Sequence, residues 1–585
     1  MYNIKNEIRH RQLLFTLLLF LLVTVAYIVI PWHSGFIYSG SDVRFHINRI
    51  VELSKSGFDY PLVEFRTFNR IGYDVNSFYP VITLYPIVIV FKMLRNPLNA
   101  YYVSIGMFLF FTQLLSYVAG RAMKISKKNS IFLALIYTFS GYLMFVYWFA
   151  FELGEIISFI VIPLLVPAVI SFFNCKIVDI SFNKYRDVIL LFCMVWITYS
   201  HLLTTLLCYL IVIPTLLINI CKVKRFDRFM HYVYLGITYV LMTSFYWMNL
   251  INAFWHHDIK GPEKYLNTLN MQQFLINSVS NKLTTSNIDP NQSVGIGVIL
   301  LMCLFYLVFN YHNLTKIEKI FLNMALGFVI LSTNLFCWAF LKQHFYNITT
   351  IQFTFRLLIG VILFTSFATA MFIRLNGRTL ILIILCILTF NITQVSSFVE
   401  MGKGQEEVLI SPTKKKQLKY ADFRVNKGEF SNLYNGFYGA QGGPTDYLTV
   451  KQKKSFNSIA QHELLLNNKH IKAKGKWLTN RVIYSFNLRK RTRNIDLPIL
   501  MTTYNYDVKD NGVKVDINNG KRGTIKIDSL EKGKHSIDIK VYPSRVFYVS
   551  IFMTLLGVSG FAFWLFYDHS YFTRCSKINK ADCKI

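Results

Sequence analysis

Repeated apolar runs of about 18 residues or more constrain this chain most, because a charge-poor helix of that length matches the hydrocarbon thickness of a bilayer. These runs, with some shorter ones between them, fall at 13–31, 99–119, 130–149, 156–173, 188–200, 202–220, 231–251, 293–311, 320–341, 353–373, 379–396 and 546–567. They predict a polytopic α-helical membrane protein of about twelve spans. Composition agrees: 53% of the 585 residues are hydrophobic and only 16% are charged. Leu13 to Pro31 is too long for a signal-peptide core and lacks a small-residue cleavage site, so it is expected to stay as a span.

Lys and Arg decide orientation, since short cytoplasmic loops carry the excess of positive charge. Basic clusters occur at Lys5 to Arg11, Arg121 to Lys128, Lys176 to Arg186, Lys222 to Arg228, Arg374 to Arg378 and Arg574 to Lys584. All fall on one side if Val81 to Leu94 does not cross. That run is short, bounded by Pro80, broken at Pro86 and followed by Arg95, which fits an interfacial helix. The expected organisation is a membrane domain over 1–396 with an outer loop at 32–98, an extracytoplasmic domain over 397–545, a last span at 546–567 and a cytoplasmic tail at 568–585. Both termini are then cytoplasmic.

Across 397–545 the hydropathy falls and short alternating strands appear, such as "RVIYSFNL", "GTIKIDSL" and "HSIDIKVYP". Period-two runs separated by Asn-Gly and Lys-Gly turns predict an antiparallel β-sandwich or small barrel. Basic residues outnumber acidic ones there by about two to one, which suits an anionic surface polymer or lipid headgroups as well as a merely solubilising surface. No nucleic-acid motif accompanies the charge. The nine cysteines show neither a disulfide framework nor metal-ligand spacing, so no metal site is expected.

Three polar clusters interrupt the apolar pattern. In "SGSDVRFHINRI", helical spacing puts Asp42, His46 and Arg49 on one face beside Val43, Ile47 and Ile50, with Arg44 on the opposite face. This reads as an amphipathic interfacial helix, capped by Ser41, whose Asp42 either serves the helix dipole or does chemistry. In "FAFELGEII", Glu152 and Glu155 stand at a span end, where carboxylates must be solvated, used or paired, for example with Arg66 or Arg70. His201, in the tight turn "TYSHLLT", suits a hydrogen-bonded structural role or a site role. In "TTIQFTFRLLIG", Gln352 and Arg356 lie one helical turn apart at a span entrance, where a guanidinium can hold phosphate or snorkel to the interface.

Taken in order, "SDVRFHINRI", "GYDVNSFYPVITLYP", "YWFAFELGE", "YSHLLT", "IQFTFRL" and "LPILMTTYNYDVKDNGVKVD" resemble the bacterial YfhO-like membrane proteins, with their relatives labelled 6-pyruvoyl-tetrahydropterin-synthase-related membrane proteins. The resemblance implies a C-type glycosyltransferase (GT-C) that takes a sugar from a polyprenyl-phosphate donor on the outer face. It implies Asp42 as the catalytic base. Arg356, Arg49 and Arg44 with Gln352 would receive the donor phosphate and lipid, and His46, Glu152, Glu155 and His201 would orient sugar or acceptor. The chain departs from the family in having "QFTFR" where proline and tryptophan are usual. It has no three-histidine zinc cluster for pterin chemistry, and whether a divalent cation assists the leaving phosphate stays open.

The expected partners are membrane lipids, a lipid-linked sugar and an anionic envelope polymer such as teichoic acid, with an upstream polyprenyl-phosphate glycosyltransferase and a flippase supplying the donor. The competing classes are a transporter or flippase of lipid-linked glycan, and a non-catalytic envelope-assembly protein. Transporters tend to show internal repeats and mid-membrane polar groups, neither of which is visible in this chain.

Overall fold

A computed structural model of the chain describes residues 2–39, 42–57, 59–94, 96–173, 176–223, 226–256, 258–261, 264–280, 294–403, 423–426, 445–467, 469–472 and 474–567. Ser41, the Lys414 to Lys416 cluster and the tail 568–585 lie outside the described residues.

The chain is mostly helical, with a separate β region near its C-terminus. Among the described residues six helices are long and apolar enough to cross a membrane: Arg11–His33, Pro97–Ala122, Leu153–Phe173, Thr354–Phe372, Gly377–Ser397 and Arg545–Phe566. A seventh candidate is the pair Lys127–Thr138 and Gly141–Ala150, bent by 47° at its break. Of the remaining runs expected as spans, 202–220 forms one long helix, Leu202–Val223, and the others are shorter or broken pieces. The 231–251 run is split at Thr243 into Phe226–Met242 and Ser244–His256, and 188–200 becomes the 13-residue helix Arg186–Thr198. At 1.5 Å per residue a 13-residue helix reaches only about 20 Å, short of a bilayer core. Val81 to Leu94 forms a 3-10 turn and the nine-residue helix Tyr85–Met93, again too short to cross.

The β region is a sandwich of two five-stranded antiparallel sheets. One sheet has the order Val513–Lys514, Asn505–Asp510, Gly533–Tyr542, Arg481–Leu488, Lys474–Leu478. The other has Ile517–Asn519, Thr524–Leu530, Thr492–Leu500, Glu463–Leu466, Lys469–Lys472. Alternate residues of both, among them Val482, Tyr484, Ile495, Leu497, Ile527 and Ile539, meet in one core. The stretch Ile495 to Leu500 is buried throughout because both its faces are covered. One side meets the sandwich core, while Asp496 on the other pairs with buried Arg522 at 2.6 Å and Leu500 packs against Phe68, Ile71 and Tyr73.

That last contact ties the sandwich to the segment after the first helix. Leu62, Val63 and Phe65 enter the sandwich core. Asn480 accepts from Leu62 N and donates to Tyr60 O, each at 2.8 Å, and Leu500 N donates to Ile71 O at 2.9 Å. Residues 60–80 therefore form a plug between the helical body and the β sandwich.

The helix Val43–Lys55 carries that plug, and here the structure departs from the amphipathic interfacial helix read from sequence. It is buried on both its apolar and its polar faces, with His46 4% and Arg49 2% exposed. Its polar side chains bind backbone. Asn48 accepts from Phe68 N at 3.1 Å, Arg49 donates to Tyr79 O at 3.2 Å and Pro80 O at 2.7 Å, and Glu52 accepts from Arg66 N and the Thr67 hydroxyl at 2.9 Å. A loop buried this deeply needs partners for its polar backbone, and this helix supplies them.

Candidate functional site

The site gathers where three helix ends meet. Asp42 holds the N-cap position of helix Val43–Lys55, but its side chain makes no cap hydrogen bond. Its backbone N–H donates to Ala150 O at 3.2 Å. Ala150 ends a π-helical turn, Phe145–Ala150, and Phe151 follows in the left-handed region at φ 50°. Such wide turns loosen the helical ladder and recur at functional sites. This one reverses the chain and leads directly into Glu152 and Glu155, at the start of helix Leu153–Phe173.

Both glutamates face Arg356 rather than Arg66 or Arg70. Arg356 Nη2 lies 3.6 Å from Glu152 Oε1 and its Nε 3.4 Å from Glu155 Oε1. Arg66 instead donates to Lys55 O at 2.6 Å, and Arg70 lies over the Trp477 ring. Arg356 Nη1 also donates to Ile351 O at 2.9 Å and to Gln352 Oε1 at 3.3 Å, and its guanidinium lies over Phe353. Tyr142 donates to Glu155 Oε2 at 2.7 Å. Gln352 itself sits at φ 60°, ψ −55°, a γ-turn geometry that costs a non-glycine residue on the order of 1–3 kcal/mol. A short parallel pairing of Leu266–Asn267 with Gln352–Phe353 holds that turn in place.

The two ion-pair distances exceed the ~2.8 Å of a tight charge-assisted bond, so Arg356 is neutralised without being locked. Burial alone would raise the Glu152 carboxyl, but the Arg356 guanidinium outweighs it and holds Glu152 below the ordinary carboxylate range. His201 reaches the same group because Gly154 leaves room for it: a Cβ on Gly154 would lie 2.8 Å from Ser200 O and 3.1 Å from the His201 ring. His201 accepts from or donates to the Thr204 hydroxyl at 2.9 Å. Burial and then Arg356 push its imidazole down to about 4, so it is neutral at physiological pH. His46 is also driven well below its usual value by burial, then by Arg49 and by His201.

Tyr79 and Asp446 complete the cluster, and neither was singled out from sequence. Burial raises the Tyr79 phenol to about 12, Asp42 and Asp446 reinforce the shift, and Tyr447 and Arg356 oppose it. Tyr79 thus responds to both Asp42 and Arg356. Its ring packs edge-on to Phe45 and Tyr447 and lies under the Arg49 guanidinium at 5.3 Å. Tyr73 donates its hydroxyl to Asp446 O, and Phe78 stacks on Tyr447 with centroids 4.6 Å apart. Phe45, two residues before Ile47 in the quoted motif, and "SFYP" at 77–80 carried the only sequence signal for this aromatic wall.

Asp42, His46, Glu152, Glu155, His201, Gln352 and Arg356 therefore belong to one neighbourhood. Arg49 adjoins it but spends its guanidinium on the Tyr79 and Pro80 carbonyls. Arg44 is half-buried on another face of its helix. Among the described residues no group of three or more His, Cys, Asp or Glu side chains is set to hold a metal ion. Where Glu152 and Glu155 converge, Arg356 takes the place a cation would fill. Compared with protein families, curated proteins and solved structures, the chain matches none.

Proposed function

We propose that this chain is an outer-face glycosyltransferase of the GT-C type, moving a sugar from a polyprenyl-phosphate donor to a cell-envelope glycopolymer of the teichoic-acid kind or to a glycolipid. The observation that carries the reading is that a carboxylate at a helix N-terminus, Asp42, and a buried arginine held between two glutamates, Arg356, both act on Tyr79. A base and a cation at the ends of apolar helices suit a donor with its tail in lipid, its phosphate at the interface and its sugar in water.

In this reading Asp42 takes the proton of the acceptor hydroxyl as its oxygen bonds to the sugar C1. The bond from C1 to the phosphate oxygen breaks, and the polyprenyl phosphate leaves toward Arg356. The guanidinium exchanges one of its two carboxylates for the phosphate, with Gln352 beside it. Glu152, Glu155 and the neutral His46 and His201 orient sugar and acceptor by hydrogen bonds. Arg49 acts through Tyr79, which it positions, and Arg44 lies furthest from the chemistry. The finer topology belongs to the same proposal: about twelve membrane passages, termini in the cytoplasm, and residues 32–98 with the sandwich outside.

The test is transfer of labelled sugar by the purified protein from polyprenyl-phosphate donors to envelope polymer. Transfer is the expected result. No transfer from any donor, with uptake of lipid-linked sugar by proteoliposomes instead, would replace the enzyme with a transporter.

A further inference from the structure

The sheet that contains Gly533–Tyr542 turns Val482, Tyr484, Ile537 and Ile539 into the sandwich, so the residues between them face away from it. On that open face the register sets Arg481 directly opposite Lys540 and Lys509 directly opposite Lys514, while across their other neighbours Lys540 faces Asp507 and Lys509 faces Asp538. Like charges facing across strands destabilise a sheet, and a surface built only for solubility intersperses the two signs. The two acids on the face are already committed, Asp538 to Arg481 at 2.7 Å and Asp507 to Lys509 at 3.6 Å. Lys474, Lys476, Lys514, Lys534 and Lys540 share the face with no ion pair among the described residues. Lys474, Lys476, Lys514 and Lys534 are exposed. Ser485 and Asn487 lie exposed between the lysines and offer neutral hydrogen-bonding groups.

The strand Gly533–Tyr542 passes through Pro543 and Ser544 straight into the helix Arg545–Tyr567, a candidate span. Lys540 is therefore near the helix end, and Lys534 stands six residues, about 20 Å of strand, further out. A flat bilayer surface would meet only the near end of such a track. An extended chain could lie along all of it.

We propose that this sheet face binds an extended linear polyanion whose repeats carry negative charge and hydroxyl groups. The inference rests on the glycosyltransferase reading only in identifying that polymer with the acceptor. Binding is measured without turnover, so a failure to bind and a failure to transfer are separate results.

The experiment uses the full chain in detergent with labelled inorganic polyphosphate, polygalacturonate, neutral dextran and vesicles containing phosphatidylglycerol. Wild type is compared with Lys474→Gln/Lys476→Gln/Lys534→Gln/Lys540→Gln. A control, Lys469→Gln/Lys490→Gln/Lys521→Gln/Lys532→Gln, removes the same charge from other exposed positions. The expected result is binding of at least one polyanion and not of dextran, weakened about tenfold or more by the face variant and less than about twofold by the control. Binding of polyphosphate without polygalacturonate assigns a phosphate-bearing polymer, and polygalacturonate alone a polyuronate. Equal loss in both variants, no polyanion binding, or a loss seen only with vesicles would overturn the proposal.

Discussion

Arg356 Nε lies 3.4 Å from Glu155 Oε1, joining the entrance of helix Thr354–Phe372 to that of Leu153–Phe173 almost 200 residues away in sequence. The Glu155 side chain is 3% exposed and that of Arg356 13%. With Glu152 on its other side, Arg356 is held between two carboxyl groups at this buried junction.

Removing the arginine alone is therefore expected to hurt the fold more than removing the pair. Arg356→Ala strands two carboxylates and should cost about 3–5 kcal/mol. Arg356→Ala with Glu155→Gln should recover a large part of that loss. Thermal unfolding in detergent checks both, and equal midpoints for the single and double variants would show that the pair does not act as a unit.

Gly154 sets the distance between the glutamate turn and His201. Gly154→Ala must push back the Ser200 carbonyl, at about 1–3 kcal/mol, and shift the imidazole with it. Gly327→Ala, where a Cβ meets open space, is the comparison. The expected outcome is a lower midpoint and slower transfer for Gly154→Ala, with Gly327→Ala close to wild type or slightly more stable.

A second acid cluster governs stability against pH. Glu52 and Glu64 are fully buried, and the two carboxyl groups influence each other. Burial raises Glu52 to about 7, against opposing bonds from Thr67 and Arg66, and it raises Glu64 further with the help of Glu52. Burial also takes Asp74 to about 7. Arg49, Arg66, Lys55, Arg70, Tyr60, Tyr504 and Tyr506 are charged or titratable groups around them. The folded chain keeps protons that the unfolded chain releases near pH ~4 to ~4.5. Stability is then greatest at mildly acid pH and falls as pH rises through about 7, by roughly 3 kcal/mol for one such group. Denaturant unfolding from about pH 5 to about pH 8.5 should show this decline, flattened in Glu64→Gln. Stability that rises across the window would contradict the assignment.

Much of the sandwich was legible because its strands alternate cleanly, and "RVIYSFNL" at 481–488 is a strand over its whole length. The Asn511-Gly512 turn joins Asn505–Asp510 to Val513–Lys514 as its turn chemistry demands. Helix breaks were harder to read, since nothing in an apolar run announces that Thr243 ends one helix and Ser244 starts another. The site was half legible. Charges stand out against an apolar background, so Asp42, Glu152, Glu155 and Arg356 were visible. Their pairing was not, and Asp446 reaches Tyr79 from more than 360 residues away, a proximity set by tertiary packing alone. The charge on helix Val43–Lys55 was visible too, but its chief use, clasping the backbone of residues 66–80, appears only once the loop is folded over it.

The central claim is that Asp42 is the base. The measurement that tests it most directly is the rate of sugar transfer by Asp42→Asn beside wild type and Asp446→Asn, each checked for an unchanged thermal midpoint. The account predicts a loss of about 10²- to 10⁴-fold for Asp42→Asn and a smaller one for Asp446→Asn. Transfer by Asp42→Asn at the wild-type rate would contradict it.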